Sequence, residues 1–216
     1  MKEGKIVKRQ YQSRLRDAQA AATRRTVIGA AARLFGERGY VATSVDDIAA
    51  AAGVSRATVF TAVGGKPVLL KTALDVAIVG DDEPVSLPDR PRSRAVQAEP
   101  DPSRYLALYA GIVTEIGGRA AAIYEAVRGA AGADTAARTL WLEHQAQRRQ
   151  GGANVVSDVL GKSALRPGLK PDRAADIVWA LNDPGLYRML VHERGWSPAE
   201  FESWLAQTLQ SQLLPD

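Results

Sequence analysis

Cysteine is absent from the 216 residues, and histidine occurs only at His144 and His192. A disulfide framework, a thiolate nucleophile and a cysteine zinc site are thereby excluded, as is a metal held by several histidines. Aromatics are sparse at 6%, and no run approaches the roughly 18 continuous apolar residues of a membrane span. The opening MKEGKIVKRQYQSRLRDAQA lacks the apolar stretch of a secretory signal, which predicts a cytoplasmic protein with no membrane partner. A phosphate-binding glycine loop and metal-ligand spacings are missing too. With no nucleophile paired to a base, neither an enzyme activity, a cofactor nor a metal is expected.

What is present is ordinary in amount and uneven in placement. Hydrophobic residues make up 46% and charged residues 24%, enough for one domain or two small helical ones with a real core. The net charge is +4. From Met1 to Lys71 there are 13 Lys+Arg against 5 Asp+Glu, or +8; the remaining 15 against 19 leave −4. A basic first third on an acidic remainder suggests a polyanion-binding head on a body with another job.

Helical periodicity sharpens at Arg24. Val27, Ala31, Leu34 and Phe35 then fall on one stripe, and Gly39 supplies the left-handed residue that ends the helix. Residues 1–22 ahead of it read as a basic, flexible arm. The stretch TSVDDIAAAAGVSRATVFTAVGGKPVLL, 43–70, holds the densest signals. Ser44 and Asp47 form a capping box that opens a helix over 45–52, with Ile48, Ala49 and Ala52 facing inward. Gly53-Val54 make a turn, Ser55 caps a helix over 56–63, and Val54 and Val59 staple its start. Gly64-Gly65 stop it, and Lys66-Pro67 open another helix whose stripe is Leu70, Ala73, Leu74, Ala77 and Ile78. Two short helices on a glycine turn, braced by longer ones, describe a helix-turn-helix head over 23–70.

The body, 71–216, starts with a connector marked by Pro84, Pro88, Pro91, Pro100 and Pro102, containing one short helix near 92–98. Long helices are predicted over 105–128 and 135–160, and another over 171–182 that breaks at Asp183-Pro184 and resumes over 190–194. Ser197 and Glu200 form a second capping box, with Pro198 at the first helical position and a Trp196–Phe201 staple, and the last helix ends near Leu214. Strand alternation and repeats are lacking. The expected fold is all-α, a three-helix head on a helical body.

On these residues the chain resembles the TetR family of transcriptional regulators. Gly39-Tyr40, Thr43-Ser44, Ile48-Ala49, Ala52-Gly53-Val54-Ser55, Thr58-Val59-Phe60 and Lys66 match the family's head over about Arg24 to Leu74. Looser matches, DIVWAL, LYRMLV and ERGWSPAEF, look like its closing helices. Phe60 stands where the family commonly has tyrosine, which removes a phosphate-bonding hydroxyl, and Val63 stands where it has an aromatic.

A helix-turn-helix lays its second helix in the major groove. With Val59 and Val63 buried, the helical period turns Ala57 and Thr61 outward, sets Thr58 and Phe60 on the flanks and projects Arg56 toward bases or phosphate. Thr43, Ser44, Ser55 and Lys66 are expected as phosphate anchors, joined by Arg24. In the arm, Lys2, Lys5, Lys8, Arg9, Arg14 and Arg16 read either as a solvated tail or as a minor-groove strap. The resemblance further implies a homodimer on a palindromic operator in double-stranded DNA, with Trp179, Leu186, Leu190, Phe201, Trp204, Leu205 and Leu209 at the dimer interface. It also implies an effector pocket, for which Tyr105, Tyr109, Tyr124, Trp141 and His144 are candidates, although His144 beside Glu143 reads as a surface position. Such a set suits a small, largely apolar ligand. The expected function is a repressor released by that ligand through the helix starting at Pro67; an activator of the same fold and a charge-driven nucleoid-type binder are the alternatives.

Overall fold

The computed structural model describes residues 3–215, with side chains from Leu15 onward. Helix α1 runs from Glu3 to Arg38 and ends where Gly39 turns left-handed at φ 79°. The Ser44 capping box then opens α2, Val45–Ala52: Ser44 Oγ accepts from the Asp47 N–H while the Asp47 carboxylate accepts from the Ser44 N–H. Gly53 at φ 67° closes α2. Ser55 Oγ caps α3, Arg56–Ala62, through the Thr58 N–H, and α4 follows over Lys66–Val79. Val27, Ala31, Leu34 and Phe35 of α1 meet Ile48, Val59, Leu69 and Leu70 in one buried cluster, as the stripes predict.

Helix α1 starts some twenty residues before the expected Arg24. The arm contains no proline, and Lys, Arg, Gln, Ala and Leu are all good helix formers. Once α1 is nucleated in the packed head, extending it upstream needs only propensity and no apolar stripe. The arm's basic side chains from Lys2 to Arg14 lie outside the described residues.

Beyond Gly80 the connector holds a 3-10 turn, Leu87–Asp89, and α5, Pro91–Gln97. Arg90 clasps Asp81 with two bonds of 2.6 Å, pinning the connector to itself. The body comprises α6 (Pro102–Ala130), α7 (Thr135–Leu160), α8 (Pro171–Leu181), α9 (Pro184–Tyr187) with a π-helical turn Arg188–Glu193, and α10 (Pro198–Leu213). Among the described residues there is no strand. By length and composition α6 is apolar enough to cross a membrane, yet here it is the hub. It packs against α1, α4, α7, α9 and α10.

Two buried clusters result. One joins the head to Ala120, Ile123, Tyr124 and Val127 of α6, so head and body share a core. The other unites the first half of α6 with α7, α8 and α10. Glycine lets the helices approach: a Cβ on Gly117 would sit 2.5 Å from Tyr187 Cγ, and one on Gly152 would sit 2.8 Å from the Ala175 carbonyl.

The same substitution has opposite signs on two helices. Gly117→Ala collides with the Tyr187 ring and is expected to cost about 1–3 kcal/mol by overpacking. Gly29→Ala meets nothing within 4 Å in mid-α1 and is expected to gain up to about 1 kcal/mol of helix propensity. Urea unfolding of both variants beside the parent checks this.

Candidate functional site

Two regions concentrate chemistry. The first is the outer face of α3. Burial of Val59, with Val63 half-buried behind it, leaves Arg56, Ala57, Phe60 and Thr61 exposed and Thr58 on the flank. Thr61 donates to the Ala57 carbonyl at 3.0 Å, and Ser55 and Thr58 hydroxyls lie 2.8 Å apart. Arg56 donates to Asp46 of α2 at 2.6 Å, and its guanidinium lies 5.5 Å from the Phe60 ring centre. Ser44 and Ser55 are exposed at helix starts, where unpaired N–H groups gather.

Three of the expected phosphate anchors have other duties. Thr43 is fully buried, its hydroxyl donating to the carbonyls of Gly39 at 2.8 Å and Leu34 at 3.2 Å, so it braces the α1–α2 corner and faces no groove. Arg24 donates to the Ala62 carbonyl at 2.7 Å, closing the C-terminal end of α3. Lys66 sits 4.2 Å above the Tyr40 ring and bonds the Val41 carbonyl. Tyr40 in turn donates to Asp134, the cap of α7, at 3.2 Å. Burial, and then the Asp134 carboxylate, push its hydroxyl up to about 12.

The second region is a cavity of about 600 Å³ between α4, α5, α6, α7 and the α8–α9 junction. Tyr105, Tyr109 and His144 line it; Tyr124 and Trp141 do not. Those two pack ring to ring at 5.1 Å in the core behind. His144 is not a surface residue: it is 7% exposed, because the face of α7 carrying residues 144, 148, 151, 155 and 158 turns toward the cavity. Burial, with the Arg148 cation adding to it, lowers its pKa to about 4.

Sequence reasoning missed Arg148, which is buried at the cavity's inner end. It pairs with Asp183 at 2.8 Å and donates to Tyr124, Gln145, the Trp179 carbonyl and Asn182. Its one available signal was the i+4 spacing from His144, a position read as surface. Helix α4 contributes Asp75, Ile78 and Val79 to the walls, and Arg119 of α6 holds the end of α4 by donating to the Ala77 and Ile78 carbonyls, each at 3.0 Å.

At the expected dimer face the structure divides the residues. Phe201, Leu205 and Leu209 are buried in the chain's own second core and cannot serve an interface. Their side of α10 packs on α6, which a last helix with one dominant apolar stripe does first. Trp179, Leu186, Leu190 and Trp204 remain partly open. Trp196 packs on Trp204 at 5.9 Å.

Residues 27–72 match the family described as bacterial regulatory proteins, tetR family. Solved structures share the fold along almost their whole length. A protein from Rhodococcus sp. described as a TetR-family transcriptional regulator is 18% identical, with a TM-score of 0.67 over 89% of this chain and 99% of its own. The transcriptional regulator FadR from Bacillus subtilis, in complex with stearoyl-CoA, is 16% identical, with a TM-score of 0.68 over 87% and 97%. A protein from Saccharomonospora viridis described as a transcriptional regulator, in complex with choline, is 19% identical, with a TM-score of 0.66 over 89% and 98%. No protein of curated function matches the chain in sequence. Residues 27–72 thus carry a tetR-family head, and the two-part helical fold of the chain is similar to that of solved TetR-family regulators.

Buried His144 makes stability pH-dependent in a defined direction. Unfolded, it takes a proton near its ordinary 6.5; folded, only near 4. The unfolded chain therefore binds more protons between these values, and stability falls as pH drops below 6.5. Between pH 7 and 4.5 this residue is expected to cost the fold about 2–3 kcal/mol. Unfolding of the parent and of His144→Gln at both pH values measures it, the variant lacking that share of the acid loss.

Proposed function

We propose that the chain is a cytoplasmic, non-enzymatic repressor that binds a palindromic operator as a homodimer and is released when a small, largely apolar molecule fills the cavity. The observation that carries the reading is the exposed face of α3, where Arg56, Ala57, Phe60 and Thr61 project from a helix capped by Ser55. Small residues let the backbone approach base edges, and Arg56 is the side chain suited to guanine. Ser44 and Ser55 fit phosphate oxygens, because capping and anion binding use the same oriented amides.

One head reads too few base pairs to address a genome, so two heads about 34–36 Å apart are needed. The half-open apolar side chains of Trp179, Leu186, Leu190 and Trp204, spread from α8 to α10, support pairing through this end of the body. Response to a ligand is supported by α4, which supplies both head core and cavity wall, and by two structural relatives that hold small molecules. A filled cavity that favours another setting of α4 would lower DNA affinity by a coupling of about 1–3 kcal/mol, or roughly 5–150-fold.

Selection of bound fragments from random double-stranded DNA near physiological salt is expected to recover two inverted half-sites one helical turn apart. Arg56→Ala is expected to flatten the preference at one base pair of each half-site, at a cost of about 1–3 kcal/mol per contact. Uniform recovery with a steep salt dependence would instead mark a charge-driven binder and sink the operator reading.

A further inference from the structure

The cavity wall carries three ionic side chains, Asp75, Arg148 and Asp158, and each already has company. Asp75 is paired with Lys71 at 2.5 Å, and Arg148 with Asp183 at 2.8 Å. Asp158 accepts from the Tyr105 hydroxyl at 2.9 Å, and Lys162, one turn further along α7, holds its ammonium 4.9 Å from the Tyr105 ring centre. The protein's own cation thus already covers one face of that ring. His144 is neutral at physiological pH. An anionic ligand entering here would lose its hydration and meet an arginine already paired with Asp183, and a cationic one would meet the Lys162 ammonium one turn from the Asp158 carboxylate.

The inner end of the cavity has a fixed polarity. Arginine has five donors and no acceptor. Asn182 must therefore present its carbonyl oxygen to Arg148, which it does at 3.0 Å, and so its amide N–H₂ faces Tyr109. That amide donates to the Tyr109 hydroxyl oxygen at 3.1 Å. With its oxygen accepting, Tyr109 keeps its own proton to give, and among the described residues no acceptor takes it. Tyr109 and Asn182 both line the cavity. The α7 wall between His144 and Asp158 extends about 21 Å at 1.5 Å per residue, which gives the space an elongated form beside Ile112, Val113 and Val155.

We propose that the cavity takes an uncharged, elongated apolar molecule with one hydrogen-bond acceptor, a carbonyl oxygen in particular, and that the Tyr109 hydroxyl donates to it. The proposal rests on the cavity being the effector site, and it separates this chain from the structural relatives that hold a stearoyl-CoA or a choline.

Four probes on one nonyl tail test it by calorimetry on the full chain: 2-undecanone, 2-methyl-1-undecene (a methylene in place of the oxygen), decanoate and nonyltrimethylammonium. The ketone is expected to bind about three- to tenfold more tightly than the alkene, the worth of one neutral hydrogen bond, and both ions more weakly than either. Tyr109→Phe is expected to bring the ketone down to the alkene's affinity and to leave the alkene's unchanged, a split that general damage to the fold would not produce. The proposal is overturned if either ion binds most tightly, if Tyr109→Phe weakens ketone and alkene alike or neither, or if none of the four binds. The selectivity of the unaltered chain decides the matter even should the variant fail to fold. Adding the selected operator DNA keeps the two readings apart. A ketone that binds through Tyr109 without releasing DNA supports this site and sinks the effector reading. An ion that binds more tightly and releases DNA overturns the proposal and keeps that reading.

Discussion

A guanidinium buried among helices dictates the polarity of everything around it, and in this chain that guanidinium is Arg148. Only 9% of the residue is exposed. A charge so placed is tolerable only when paired and hydrogen-bonded, because removing it from water costs several kcal/mol even after relaxation. Asp183 supplies the counter-charge, and Tyr124, Gln145, Asn182 and the Trp179 carbonyl supply oxygens. The end of α8 and the start of α9 are thereby tied to α7 at the point where Asp183-Pro184 interrupts the helix. Asp183 also caps α9 through the Gly185 N–H at 2.7 Å and accepts from Tyr124 at 2.8 Å. One carboxylate thus ends a helix break, neutralises a cation and orders a phenol.

The head does not hang from the body on a linker. Helix α4 continues without interruption from the head core to the cavity wall, and the nominal division near residue 70 falls inside it. Helix α1 lies directly on α6, where a Cβ on Gly36 would touch Ala122 at 3.0 Å. Tyr40, Lys66 and Asp134 form a second bridge from the helix-turn-helix corner to the start of α7. Interiors packed this closely transmit displacement, since voids that might absorb it are few. The Arg119 clamp on the last carbonyls of α4 adds directional bonds where packing alone would let the helix slide.

Features set by neighbours in the chain were legible in the sequence. The limits of α2 follow from Ser44 and Gly53 and coincide with the predicted ones, because caps and left-handed glycines act within a few residues. The start of α1 was not legible, since no stop signal separates a helix that packs from its upstream extension. Burial of His144 and Arg148 was hidden for a different reason. A polar stripe on α7 becomes interior only because α4, α6 and the α8–α9 junction close over it, and no local pattern reports that closure. In α10 the apolar stripe was plain, but its partner was not. Phe201, Leu205 and Leu209 satisfy the chain's own core, while Trp179, Leu186, Leu190 and Trp204 stay partly open.

The unbroken course of α4 bears on dose as well as on mechanism. Linkage is symmetric: any DNA affinity that a filled cavity removes, bound DNA removes equally from the cavity. Under the proposed coupling, chains seated on DNA would be the poorest ligand binders, and free ones would act as a sink that fills first. The ligand concentration at which DNA is released would then be set by the whole population of chains and sites. Raising the amount of this protein would move that threshold upward without altering a single residue of the cavity.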